Sequence, residues 1–116
     1  MNSFDMMHRI VEHAKAWGLD VDGLSRLTFH APRPQLRLRD FEYALFQDWA
    51  RHLVYPLVSA TDTGLVVVGQ LMSGHAVTVS VRALPADLKA YGLHGVIALG
   101  HVAVLVEHQR GTRVTA

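Results

Sequence analysis

The chain reads as an α+β domain: an antiparallel sheet of about five strands with two main helices packed on one side. Three observations predict this. Apolar residues recur at helical spacing over residues 3–17 and again over 40–55. Elsewhere the pattern changes to alternation with a period of two, punctuated by glycine, proline and short polar turns. Half of the 116 residues are hydrophobic and 18% are charged, a balance that builds a core and excludes a disordered chain. Residues 1–116 fit one domain. The expected order is α-β-β-α-β-β-(short α)-β.

The first helix, 3–17, has Ser3 as N-cap and Asp5 in its first turn. Phe4, Met7, Ile10, Val11, Ala14 and Trp17 form one apolar stripe, and Gly18 is a natural stop. A hairpin follows, made of Arg26-Leu27-Thr28-Phe29-His30 and Gln35-Leu36-Arg37-Leu38-Arg39, joined by Ala31-Pro32-Arg33-Pro34. Alternation puts Leu27, Phe29, Leu36 and Leu38 on one face. Arg26, His30, Arg37 and Arg39 take the other, with Arg33 in the loop. A four-residue loop sets Arg26 opposite Arg39 and Thr28 opposite Arg37. The second helix runs over 40–55 and is ended by Pro56. Phe41, Leu45, Phe46, Trp49 and Leu53 give it a broad apolar face, with Asp40, Gln47, Asp48 and Arg51 opposite.

The second half is read as mainly strand. Residues 57–60 form a short strand, Thr61-Asp62-Thr63-Gly64 a turn, and 65–72 and 75–82 a hairpin around Ser73-Gly74. In the later strand Val77, Val79 and Val81 alternate with Thr78, Ser80 and Arg82, one face buried and one wet. Segment 65–72 is apolar on both faces and reads as central. A short helix over 85–91 is stopped by Gly92. Residues 96–107 read as a last strand, broken at Gly100, and 109–116 as a polar, frayed tail. Two helices cover only one face of such a sheet. Val66, Val68, Val102, Val104 and Val106 leave apolar surface over, which predicts a homodimer with the valine-rich strands as its seam.

Several function classes fall away. The chain has no cysteine, which excludes disulfides, thiolate metal sites and thiol catalysis. A formal charge of +1 supplies no strong non-specific attraction to nucleic acid. No apolar run reaches the roughly 18–20 residues of a membrane span, and no segment reads as a signal peptide, so a cytoplasmic location is expected. There is no phosphate-binding glycine-rich loop, no Gly-x-Ser-x-Gly and no dinucleotide fingerprint, and no cofactor is expected. His8, Glu12 and His13 come near the His-x-x-Glu-His pattern. The two histidines are five apart, though, about 140° around a helix, and do not converge on one metal. His94, His101 and His108 recur every seven residues and would alternate faces on a strand. Asp62-Thr63-Gly64 matches the aspartic-protease tripeptide, and a turn between strands explains it equally.

Two constellations remain. Arg26, His30, Arg33, Arg37 and Arg39 are the only organised charge in the chain. They predict a small non-enzymatic binding or adaptor protein that docks an anionic partner, either an acidic protein surface or nucleic-acid phosphate. A solvated strand face, protected from aggregation, accounts for the same residues. The alternative is a small-molecule or acid–base site around His52, oriented by Asp48 or Glu42 and lined by Trp49. Eight histidines also make association between pH 5 and 8 a property to measure.

Overall fold

The computed structural model of the chain describes residues 3–19, 24–28 and 33–115. Helix α1 (Ser3–Trp17) turns Ile10, His13 and Ala14 inward. Its expected stripe is buried only at the centre, since Phe4 is 85% and Trp17 50% exposed. The helix stops at Gly18, whose φ of 67° suits glycine, and the Leu19 amide donates back to the Ala14 carbonyl at 2.8 Å.

Strands β1 (Leu24–Thr28) and β2 (Gln35–Leu38) pair antiparallel, as the alternation predicts. Their register differs from the expected one. Arg26 faces Arg37, Leu27 faces Leu36 and Thr28 faces Gln35, so the connection holds residues 29–34 rather than four residues. A bulge at Ser25 accommodates the shift, and its hydroxyl donates to the carbonyls of Arg37 and Leu38 at 3.2 Å. Phe29 and His30 lie outside the described residues.

Helix α2 (Tyr43–Arg51) is shorter than its pattern suggested. The chain beyond it enters β3 (Val54–Ala60), and Pro56 sits within that strand instead of ending the helix. A bulge makes this workable. Three residue steps from Val54 to Leu57 match two from Gln70 to Val68, with Tyr55 at φ 51° taking up the extra residue. Strands β4 (Gly64–Gln70) and β5 (Ala76–Arg82) complete an antiparallel meander, joined at Gly74 as expected. Helix α3 (Pro85–Ala90) then leads to β6 (Gly95–Ile97) and helix α4 (Leu99–Thr115).

That last helix corrects the strand expected over 96–107. A valine-rich run carries no decisive period of its own. Here Val102, Leu105 and Val106 recur at helical spacing and are all buried. His101 fixes the start, its Nδ1 accepting the Ala98 amide at 3.1 Å while its own amide donates to the Ala98 carbonyl at 3.0 Å. Residues 109–115 are the last turns of α4.

The sheet order is β1-β2-β5-β4-β3-β6, and every neighbouring pair is antiparallel except β2 and β5. The exception follows from the route of the chain. Helix α2 carries it across to β3, and the β3–β4–β5 meander walks back until β5 lies parallel to β2. One core cluster joins the inner strand residues, among them Leu36, Leu38, Leu65, Val67, Val77 and Val79, to Ile10 of α1, Phe46 and Trp49 of α2 and Leu105 of α4. Among the described residues the helices therefore cover one face of the sheet and leave the other open.

The apolar surplus behind the expected dimer is smaller than the sequence suggested. Val102 and Val106 are buried against the protein's own core, and Val104 lies on α4 rather than on a strand. Among the described residues no helix is long and apolar enough to cross a membrane.

Candidate functional site on the open face of the sheet

Strand pairing fixes which side chains meet on the open face. One transverse row runs Arg26, Arg37, Ser80, Val66, Ser59, Val96 across all six strands. Beside it runs Thr28, Gln35, Thr78, Val68, Leu57. No aspartate or glutamate occupies either row. The face is thus basic at the β1–β2 edge, hydroxyl-bearing in the middle and apolar toward β6.

Arg26 and Arg37 are direct cross-strand partners, with Cα atoms about 5 Å apart. Among the described residues neither side chain forms an ion pair. Two shallow clefts meet at Arg37 and Ser80. One, of about 330 Å³, is bordered by Thr61, Thr63, Val66 and Arg82. The other, of about 270 Å³, is bordered by Arg26, Thr28 and Gln35. Arg82 reaches Asp40 at 3.7 Å, a pair about half exposed on both sides and therefore weak.

The turn that closes the first cleft is Thr61–Thr63, and it explains the Asp-Thr-Gly motif without catalysis. The Thr61 hydroxyl accepts the Thr63 and Gly64 amides at 3.4 and 3.2 Å, and the Thr61 amide donates to the Gly64 carbonyl at 2.9 Å. Gly64 is required by close approach: a Cβ there would lie 2.3 Å from the Val81 carbonyl oxygen.

Of the predicted contact residues, the structure brings Arg26 and Arg37 together. Arg39 is exposed just past β2, on the same alternation as Arg37. Arg33 is half-buried two residues before β2 and borders neither cleft. His30 lies outside the described residues. Sequence reasoning missed Ser80 and Arg82 as members of the site, although their alternation with Val79 and Val81 had marked them as wet. Their placement beside Arg37 depends on the parallel β2–β5 pairing.

The alternative constellation does not converge. Glu42 caps the start of α2 and His52 its end, so the helix length of about 14 Å separates them. His52 Nδ1 bonds the main-chain carbonyl of Asp48 at 2.8 Å, not its carboxylate, and its ring stacks on Trp17 at 5.0 Å. Trp49 is wholly buried in the core.

Several other described histidines also have local partners. His8 pairs with Glu12 at 2.9 Å on the exposed side of α1. His13 is wholly buried; its Nδ1 accepts the Met72 amide at 3.0 Å and its ring stacks near Trp49. His13 Nε2 and Trp49 Nε1 have no hydrogen-bond partner among the described residues. Burial pushes the His13 pKa down, opposed by the backbone of His52 and assisted by the charge on its ring. His108 approaches Asp87 at 3.5 Å and accepts or donates a bond to the Tyr91 hydroxyl at 3.1 Å. Asp87 also accepts the Tyr43 hydroxyl at 2.9 Å, and that phenol accepts the Leu84 amide at 3.1 Å. Burial first, then Asp87, pushes the Tyr43 pKa up to about 12 against the pull of the Leu84 amide, so this group stays neutral and pins α2 to α3. Among the described residues no three histidine, aspartate or glutamate side chains are grouped to hold a metal ion.

Comparison with protein-family models, with curated proteins and with solved structures finds no match for this chain.

Proposed function

We propose that this chain is a non-enzymatic docking protein that binds an acidic segment of a partner protein on the open face of its sheet. The observation that carries the reading is the cross-strand pair Arg26–Arg37, set on a face whose strand positions hold no acid. Like charges directly opposite each other cost a sheet stability, and an incoming carboxylate removes that cost. Arginine also binds carboxylates through two parallel N–H donors, which rewards placing two guanidinium groups side by side. Ser80, Thr28 and Gln35 add neutral donors along the clefts. The rows contain no aromatic side chain on which nucleic-acid bases would stack, which favours a protein segment over single-stranded RNA. One chain carries the whole face, so the reading requires no second copy.

Fluorescence anisotropy with a labelled oligoglutamate peptide tests it. Binding is expected to weaken steeply between about 0.05 and 0.5 M salt. The double variant Arg26→Ser/Arg37→Ser should lose at least about tenfold in affinity, equivalent to about 1.4 kcal/mol. Its melting temperature should not fall below that of the parent, since both side chains are exposed and their mutual repulsion is removed. Undiminished binding by the folded double variant overturns the reading. Tighter binding of oligouridylate than of oligoglutamate at equal salt replaces the protein partner with a nucleic acid.

A further inference from the structure

The open face does not end at its arginines, and its far half has a chemistry of its own. From Ser80 the main row passes to Val66, Ser59 and Val96, and the second row passes from Thr78 to Val68 and Leu57. Val96 is 72% and Leu57 56% exposed, while Val66 and Val68 are half-buried between neighbouring strands. Tyr55, in the bulge of β3, stands 83% exposed at the rim. Val66, Val68, Leu57, Ser59 and Val96 sit on the same face as Arg26 and Arg37, reached without crossing a helix or a charged group of either sign. The strip is continuous with the basic clefts through Val66, which borders the cleft holding Arg37 and Arg82.

Resting on the docking reading above, we infer that the ligand is a bipartite segment of a partner protein, acidic at one end and apolar at the other, laid across the strands from β1 to β6. Charge complementarity sets its polarity. The acidic end meets Arg26 and Arg37, and the apolar end covers Val66, Leu57 and Val96. Six strands make five spacings of about 4.8 Å, so the row is about 24 Å wide, and about seven residues of extended chain span it. A second copy of this chain is the poorer occupant. Its own open face carries arginine and no acid on these rows, so two such faces would set cation against cation or cation against valine. A uniformly acidic segment would satisfy the arginines and leave Leu57 and Val96 in water. A segment with both halves removes that surface from solvent while the charges fix its direction, the usual division of labour between an apolar contact and a charged rim.

Two labelled peptides separate this inference from the reading beneath it. Both begin with the same block of glutamates. One continues with alternating leucine and serine, the other with serine and glycine. Against the parent protein the leucine peptide should bind at least about fivefold tighter, a step of about 1 kcal/mol. The variant Leu57→Ser/Val96→Ser should abolish that preference and leave the affinity for the serine–glycine peptide unchanged. The variant Arg26→Ser/Arg37→Ser should weaken both peptides together. Equal binding of the two peptides by the parent overturns the bipartite ligand and leaves the acidic docking reading standing. Equal binding of both peptides by parent and arginine variant overturns the two together. The peptide comparison on the parent alone decides the point if the Leu57→Ser/Val96→Ser protein fails to fold.

Discussion

Two buried polar side chains are the residues most exposed to single substitutions. His13 is neutral in the fold because burial holds its pKa below the ordinary 6.5. The unfolded chain therefore binds more protons than the folded one as pH falls through that value, and linkage makes stability fall with it. Stability from neutral His13 is fully present above about pH 6.5 and is lost progressively below. Urea unfolding at about pH 5.5 and 7.5 should show a larger loss for the parent than for His13→Gln, which keeps an acceptor for Met72 and has no proton to gain. An equal loss in both would assign the acid sensitivity elsewhere. Tyr43 is the second case. Its hydroxyl satisfies both Asp87 and the Leu84 amide. Tyr43→Phe leaves both groups short of a partner and should cost about 1–3 kcal/mol in denaturant melts.

Among the elements, the β4–β5 ladder is the least tolerant of insertion. Gly64 lets β4 approach Val81 more closely than any side chain allows. Gly64→Ala must part the two strands at the border of the basic cleft. A loss of about 2–3 kcal/mol is expected, together with weaker oligoglutamate binding under conditions where the variant is folded. Full stability in that variant would show that the strands separate without cost. Three of the histidines are local fastenings at this scale: His101 at the start of α4, His52 at the end of α2, and His75 bonded to Ser73 in the β4–β5 turn at 2.8 Å. These three occupy separate helix ends and turns, and among the described residues no metal-holding group of His, Asp and Glu forms.

For the whole molecule, the consequence of the topology is a sheet with helices on one side and a graded surface on the other. Arg26 and Arg37 of the hairpin stand opposite each other, and Ser80 lies beside Arg37 because β5 lies next to β2. Much of this was legible. Leu36 and Leu38 inward with Arg37 outward, and Val77, Val79 and Val81 inward with Ser80 and Arg82 outward, all follow from a period that each strand carries within itself. The register of the hairpin was not legible, because the bulge at Ser25 depends on hydrogen bonds to the opposing strand. Nor was the end of α2: Tyr55 and Pro56 enter a strand only because Val54 and Leu57 find partners on β4.

The sequence by itself determined the α+β class, the position of the hairpins and the wet or buried sense of most strand residues. These are consequences of local periodicity and turn chemistry, which a few neighbouring residues suffice to specify. Only the tertiary structure decided that residues 99–115 form a helix, that β2 and β5 run parallel, and that Glu42 and His52 stand at opposite ends of α2. A valine-rich run suits either a strand or a buried helix until the surface it packs against is known. Sheet neighbours, likewise, are chosen by burial between segments distant in sequence, and that choice is what joins the paired arginines to an apolar strip on one open face.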